Sequence, residues 1–457
     1  MCRKANCNCF IFFATISVSL SAFTTGGAFG WTSPYLSRFN STDSTINPIG
    51  RPITIDESAW LVSAMSLGLN FGPFLSILSQ KVFTKKQAIL ISMLPMVLAH
   101  SICIFTNKAL LFILARLFMG IATGWLWAIF SIYIAEIAED KNRGLLGCFP
   151  GITSNIGTLM VYLVGPYLSM SMFSVFNLIP MVIFYICFGI FVPDSPYDLV
   201  IKNRSDDALN SLKKLRRREN VKSELETIET YIKSVNKEKA SYKDLFQKRV
   251  CRRGLTICIS LMIFQQFSGN NAISSYAEAI FQSAGDFISS SLSPVLLGIV
   301  GTLSISLSSF LVDKMGRKPL LIVSFVVIGF SLFSLGIYFH LLNNGFNVSY
   351  IAWLPIVSLM FFVAAFNFSL GMVPWIITGE YFHSSLKAQA SSLVSWGNFV
   401  TSFFVTLVFP YMIVFFGMSW TFYFFGIFMV LATIFCCIML LESKEKSFQE
   451  IQDLLNK

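Results

Sequence analysis

Long apolar runs separated by short polar breaks dominate the chain, and each is too long for a strand, so the pattern predicts helices. Twelve runs approach or exceed the roughly 20 residues that a helix needs to cross a bilayer. They fall at 10–31, 59–80, 87–106, 109–135, 145–168, 172–192, 254–283, 293–312, 319–341, 351–379, 388–415 and 419–441. Arg3 and Lys4 precede the first run as they would a secretory leader. That run is long for the apolar core of a leader and lacks a clear small-x-small cleavage site, so it reads as an uncleaved span. The predicted fold class is an all-α membrane protein with twelve transmembrane helices in two six-helix bundles, 10–192 and 254–441, flanked by polar ends at 1–9 and 442–457.

The polar stretch 193–253 divides the spans six and six. Ser205-Asp206-Asp207 reads as a helix start, followed by Leu209, Leu212 and Leu215 and then by Leu225, Ile228 and Ile232 at helical spacing. A charged tether would not keep an apolar period, so the stretch is expected to form short amphipathic helices beneath the bundles.

Composition supports this class: 54% of residues are hydrophobic, 13% are charged and the mean hydropathy is +0.67, against roughly 25% charged in soluble proteins. The formal charge of +10 does not imply a nucleic-acid partner, because it is not gathered on a folded basic face. About 30 Lys and Arg residues fall in segments on the side of the termini, while the opposite side holds only Arg38, Arg51 and Lys108. The positive-inside rule therefore places both termini in the cytosol. The ten cysteines lie at the N-terminus or in or beside spans and offer no disulfide framework. The sequons at Asn40 and Asn347 fall in outside loops and are candidate glycosylation sites, whereas those at Asn203 and Asn367 lie in the cytosolic linker and within a span.

An internal repeat is visible. Leu78-Ser79-Gln80-Lys81-Val82-Phe83-Thr84-Lys85-Lys86 after the second span parallels Leu311-Val312-Asp313-Lys314-Met315-Gly316-Arg317-Lys318 after the eighth. Glu136 precedes Arg143 by seven residues near the fourth span, and Glu380 precedes Lys387 by the same interval after the tenth. Duplicated bundles place a substrate site between them, with access alternating as they rock. Glu136, Arg143, Asp313, Arg317, Glu380 and Lys387 supply both signs at matching places, a candidate cytosolic gate whose pairs across the bundles would latch that side. Partly exposed pairs worth roughly 0–1 kcal/mol each are weak enough to break in every cycle.

At these residues the chain resembles the sugar porter family of the major facilitator superfamily, along almost its whole length. The segments that carry the resemblance are Asp313 to Lys318, Tyr133-Ile-Ala-Glu136 with Arg143-Gly144, Arg116 with Gly120 and Gly124, and Pro193-Asp194-Ser195-Pro196. Leu441-Glu442-Ser443-Lys444 is a weaker echo in the tail. The most specific segment is Gln265-Gln266-Phe267-Ser268-Gly269-Asn270-Asn271-Ala272. The resemblance implies the major facilitator fold and assigns Gln265, Gln266 and Asn271 to sugar hydroxyls, with Trp375 and Trp396 as cavity aromatics. Amides suit that role on chemical grounds, since they donate and accept without attracting ions, and Gly269 in a polar run would let the helix break at a cavity.

The chain departs from the family pattern at Gln80, Phe83 and Thr84 in the first loop, at Ser131 and Lys387, and at Gly151, Gly301 and Ser395 in the cavity. Lost side chains there leave room and fewer hydroxyl partners. Within the family the segment around Gln265 and Ile280 to Gly285 is most similar to insect facilitated trehalose transporters, with facilitative glucose transporters next. Proton-coupled symporters of the family carry an acid in the first span; 10–31 has neither Asp nor Glu, and Glu278 is the one nearby protonatable group.

The resulting expectation is facilitative transport of trehalose or a hexose such as glucose across the plasma membrane. The other functions weighed are a non-transporting sugar sensor and a proton-coupled symporter. An enzyme is not expected, because His100, His340 and His383 are scattered and no metal-ligand spacing or nucleophile–base pair is present. Neither a cofactor, a nucleic acid nor an obligatory protein partner is called for; the partners are a small sugar and the lipid bilayer.

Overall fold

The structure is a computed structural model that describes residues 9–139, 142–235, 242–247, 249–285, 292–382, 384–444, 446 and 448–456. Among the described residues there is no strand, as the apolar run lengths require. The first group of helices is α1 (Cys9–Gly30), α2 (Thr32–Phe39), α3 (Ile55–Val82), α4 (Lys85–Ser92), α5 (Leu94–Phe105), α6 (Ala109–Ile137), α7 (Arg143–Val164) and α8 (Met170–Ile186). Short helices α9 (Pro196–Ile201), α10 (Ser205–Arg216), α11 (Lys222–Val235) and α12 (Tyr242–Gln247) follow. The second group is α13 (Arg249–Gln266), α14 (Asn270–Ser275), α15 (Ala277–Ala284), α16 (Ser293–Met315), α17 (Arg317–Asn343), α18 (Leu354–Ala365), α19 (Val373–Tyr381) and α20 (Ser384–Met439), with α21 (Phe448–Asn456) in the tail.

Nine helical segments among the described residues are long and apolar enough to cross a membrane. The seventh and eighth of the twelve expected spans are not among these nine, the last two fall in a single segment, and the others differ at their ends and breaks. The first run continues through α2 to Phe39, because Thr32 to Phe39 buries its side chains although it is more polar than α1. The third divides at Met93, just before Pro95, which has no N–H to continue the ladder. The tenth is interrupted by a π turn at Phe366–Leu370. The last two expected spans form one run of helix that leaves helical geometry only at Gly417, where φ is 82°. The seventh breaks at Gly269, whose φ of 81° starts α14, as the glycine in its polar run suggested.

Glycines set the closest helix approach. In α3 and α6, Gly68 and Gly120 face each other so closely that a Cβ on Gly120 would stand 2.0 Å from the Met65 carbonyl oxygen. Small residues substitute for a hydrophobic driving force, which lipid does not supply between helices. Beside this seam Arg116 is fully buried, its Nε donating to Leu61 O at 3.3 Å and its Nη1 to Ala28 O, with the guanidinium 5.4 Å from the Trp31 ring centre.

The linker helices pack as their period predicts. Leu212, Val221 and Ile228 form a small core of their own, flanked by Leu209, Leu225 and Ile232. Arg216 ties this layer to the end of α6 by donating to Ile137 O at 2.8 Å while pairing with Glu224. The two large groups meet chiefly through α3 against α20 and α7 against α16.

Candidate functional site

Breaking α13 from α14 leaves side-chain amides in an otherwise apolar interior, where each must find a partner. Gln265 is buried and its Nε2 donates to Leu370 O at 2.7 Å, at the π turn before α19. Asn398 of α20 donates from Nδ2 to Gln265 Oε1 at 2.7 Å. Gln266 Nε2 donates to Asn398 Oδ1 at 3.0 Å, and Asn271 Nδ2 donates to Gln266 Oε1 at 3.0 Å and to Ser402 Oγ at 2.9 Å. Ser402 Oγ lies 3.0 Å from Ser66 Oγ of α3. A relay of neutral hydrogen bonds, with Asn271 donating in both directions, thus links the Leu370 carbonyl before α19 to Ser66 of the first helix group.

Gln265, Gln266 and Asn271 are brought together as the sequence suggested. Trp375 stands beside Phe399, ring centres 6.5 Å apart, and is 37% exposed. Trp396 is half exposed and lies about 200° around α20 from Asn398, so it is not a member of the relay. It shares a face with Phe399 and Phe403, and Phe403 contacts Trp60 of α3 at 6.0 Å.

Asn398 and Ser402 were missed in the sequence. Their spacing of four places them on one helix face, but only the packing of α20 on α13 shows which face meets the glutamines. The glycines at two expected amide positions also acquire neighbours. Ile305 fills toward Gly151, a Cβ there standing 3.2 Å from Ile305 Cδ1. A Cβ on Gly301 would stand 3.3 Å from Asn367 Nδ2 and 3.5 Å from Asn155 Oδ1. Two amides, one from each group, therefore pack against Gly301 together with Val363. Ser395 bonds only its own helix, at Ser391 O.

The end of the molecule away from the termini is closed by bonds between the groups. Ser37 Oγ donates to Glu278 Oε1 at 2.9 Å, and the Glu278 backbone N–H donates to Ser33 Oγ at 3.3 Å. Ser58 and Tyr276 are bonded at 3.0 Å, and Tyr411 OH donates to Asp56 Oδ1 at 2.6 Å. Asn40 and Asn347 are exposed at this same end.

At the end that carries the termini the described ion pairs stay within a group. Glu136 is held by Lys85 Nζ at 2.5 Å and by the Ser195 hydroxyl. Glu380 is held by Arg317 at 3.0 Å and by Ser443 Oγ at 2.5 Å. The backbone N–H of Lys85 donates to Asp198 at 2.8 Å as that of Arg317 donates to Glu442 at 3.0 Å. The same base, acid and serine recur after corresponding spans, which extends the repeat read in the sequence to Ser195 and Ser443. Lys387 is exposed and lies against Gly379; the side chains of Arg143 and Asp313 lie outside the described residues. Among the described residues no ion pair crosses between the groups at this end. Thr84, which departs from the loop pattern, caps α4 in a reciprocal box with Gln87 and bonds Asp194.

Residues 17–455 match the family described as sugar (and other) transporter. The chain is 31% identical over 447 residues to the facilitated trehalose transporter Tret1 of Bombyx mori, covering 96% of this chain and 85% of that one. It is 30% identical over 449 residues to Tret1 of Polypedilum vanderplanki, covering 96% and 86%. In architecture it is similar to the inward open xylose transporter XylE from E. coli, with a TM-score of 0.79 at 22% identity over 97% of this chain and 99% of that one. The chain belongs to the sugar transporter family of the major facilitator superfamily.

Proposed function

We propose that the chain is a facilitative transporter that carries trehalose or a hexose such as glucose by alternating access. The observation that carries this reading is the amide relay from Gln265 through Asn398, Gln266 and Asn271 to Ser402, which ends on Ser66 of the other helix group. A sugar hydroxyl inserted into the relay exchanges one neutral hydrogen bond for another at little net cost. It also disturbs the contact that joins the two groups, so occupancy is coupled to their movement. Trp375, exposed beside Phe399, offers an aromatic face for a sugar ring, and Trp396 offers a second on the side of α20 turned away from Asn398.

Counting the bent α20 as two crossings, and α16 and the broken α13–α15 as one each, brings the nine long spans to twelve. Six then precede the linker and six follow it. The basic segments put the termini in the cytosol, and glycosylation at Asn40 and Asn347 fits the outer face of a plasma-membrane protein. The bonds at Glu278, Tyr276 and Tyr411 close that outer face, and the inner gate is assigned from the repeated sequence positions to Glu136, Arg143, Asp313, Arg317, Glu380 and Lys387. With the outer face closed, the described pairs Lys85–Glu136 and Arg317–Glu380 fall within each group, and cross-group pairing is assigned to the opposite state.

Passive transport is favoured because Arg116 is satisfied by carbonyls and the Trp31 ring and α1 holds no carboxylate. Uptake of labelled trehalose and glucose into proteoliposomes, with and without an inward proton gradient, tests this. Equal plateaus support uniport. Accumulation above the external level with the gradient would establish symport and point to Glu278, and sugar binding without flux would establish a sensor.

A further inference from the structure

The end of α10 places positive charge over a bare apolar wall at the membrane end of the first helix group. Arg217 sits at the C-terminus of α10 with φ of 49°, a left-handed position usually held by Gly or Asn. Its guanidinium lies 5.5 Å from the ring centre of Phe10. Phe10 packs along α1 on Phe13 with the rings tilted by 35°, and Phe13 in turn meets Phe191 at 6.4 Å. Phe13, Ile190 and Phe191 are exposed, Ile190 by 68%, where the last turn of the sixth span would enter the bilayer. Lys86 donates to Gly189 O at 2.7 Å just above this wall, and Lys214 of α10 is close enough for its charge to act on Lys86. Lys213 is paired with Glu219, but among the described residues no ion pair is recorded for Lys214, Arg217 or Arg218. Lys86 also feels the Asp194 carboxylate, so the cations left to an outside anion beside these exposed apolar side chains are Lys214 and Arg217.

We propose that this notch, with Lys214 and Arg217 above Phe13, Ile190 and Phe191, binds an anionic phospholipid of the leaflet on the termini side. The headgroup phosphate meets the two cations and an acyl chain lies along the apolar wall. Because α10 also packs on α1 and α9, an occupied notch fixes the linker layer to the first helix group.

The test uses the purified full-length chain in detergent with equal amounts of phosphatidylglycerol and phosphatidylcholine, and native mass spectrometry counts the bound lipids. The wild type is expected to retain phosphatidylglycerol preferentially. Each removed charge lowers that preference about fivefold, so the double variant Lys214→Gln, Arg217→Gln loses about 25-fold. Arg51→Gln with Lys108→Gln removes as much charge from the opposite end and is expected to change nothing. Should the double variant not fold, Arg217→Gln alone gives the fivefold reading. Undiminished preference in the notch variants, or an equal loss in the control, overturns the proposal. Glycerol phosphate, which has no acyl chains, is expected not to displace the lipid at equal concentration; equal displacement would remove the apolar wall from the account and also overturn it.

Discussion

Asn398 holds Gln265 from the neighbouring helix: its Nδ2 donates to Gln265 Oε1 at 2.7 Å while its Oδ1 accepts from Gln266. One amide therefore fixes the orientation of both glutamines. Asn398→Ala leaves a buried donor and a buried acceptor unmatched, a cost of about 1–3 kcal/mol. Sugar affinity is expected to fall about tenfold or more, with the protein still folded, as measured by equilibrium binding of labelled sugar. Unchanged affinity would separate Asn398 from the site.

Ion pairs at the two ends of the molecule differ in burial, and their stability effects should differ in the same order. Lys85 and Glu136 are both largely shielded, whereas Arg51 in its pair with Glu57 is 53% exposed. Lys85→Met strands a buried carboxylate and is expected to cost about 3 kcal/mol. Arg51→Met should cost below about 1 kcal/mol. Thermal unfolding in detergent gives both values.

Closure of the far end rests on bonds such as that from Tyr411 to Asp56. Tyr411→Phe removes one such bond, worth about 1 kcal/mol, from the closed state alone. A cysteine placed at Ser66 in this background is then expected to react about fivefold faster with an impermeant thiol reagent applied from the far side. An unchanged rate would show that the bond does not hold that end shut.

Acid should loosen the tail. Burial raises the pKa of the Glu442 carboxyl, but the backbone N–H groups of Arg317, Lys444, Lys318 and Ser443 outweigh it and hold the pKa below its usual 4.5. A group lowered in the folded state stabilises it above the unfolded pKa and loses that contribution as pH falls through the folded value. The melting temperature should therefore drop more steeply below pH 4.5 in the wild type than in Glu442→Gln. Parallel profiles would dissociate Glu442 from tail docking.

The helices and part of the site were legible because both stand out from a uniform background. Apolar runs of bilayer length admit one structure, and Gln265, Gln266 and Asn271 are conspicuous in a span with few other polar groups. Gly269 marked the break because glycine accepts positive φ. The linker helices were legible from the period of Leu209 to Leu215 and of Leu225 to Ile232. Asn398 was not, since its role depends on which face of α20 meets α13, a property of packing between distant segments. The π turn at Phe366–Leu370 has no Gly or Pro inside it, so nothing local announces it. Thr84 looked like decay of a loop pattern, although with Gln87 it is a helix start.

Whether the amide relay binds the transported sugar is decided by equilibrative uptake of labelled trehalose and glucose into proteoliposomes containing wild type or Gln265→Ala. Wild-type uptake is expected to equilibrate without a proton gradient, with at least about a tenfold lower initial rate for Gln265→Ala at subsaturating sugar. Wild-type rates in Gln265→Ala, with equal protein inserted and folded, would contradict that binding.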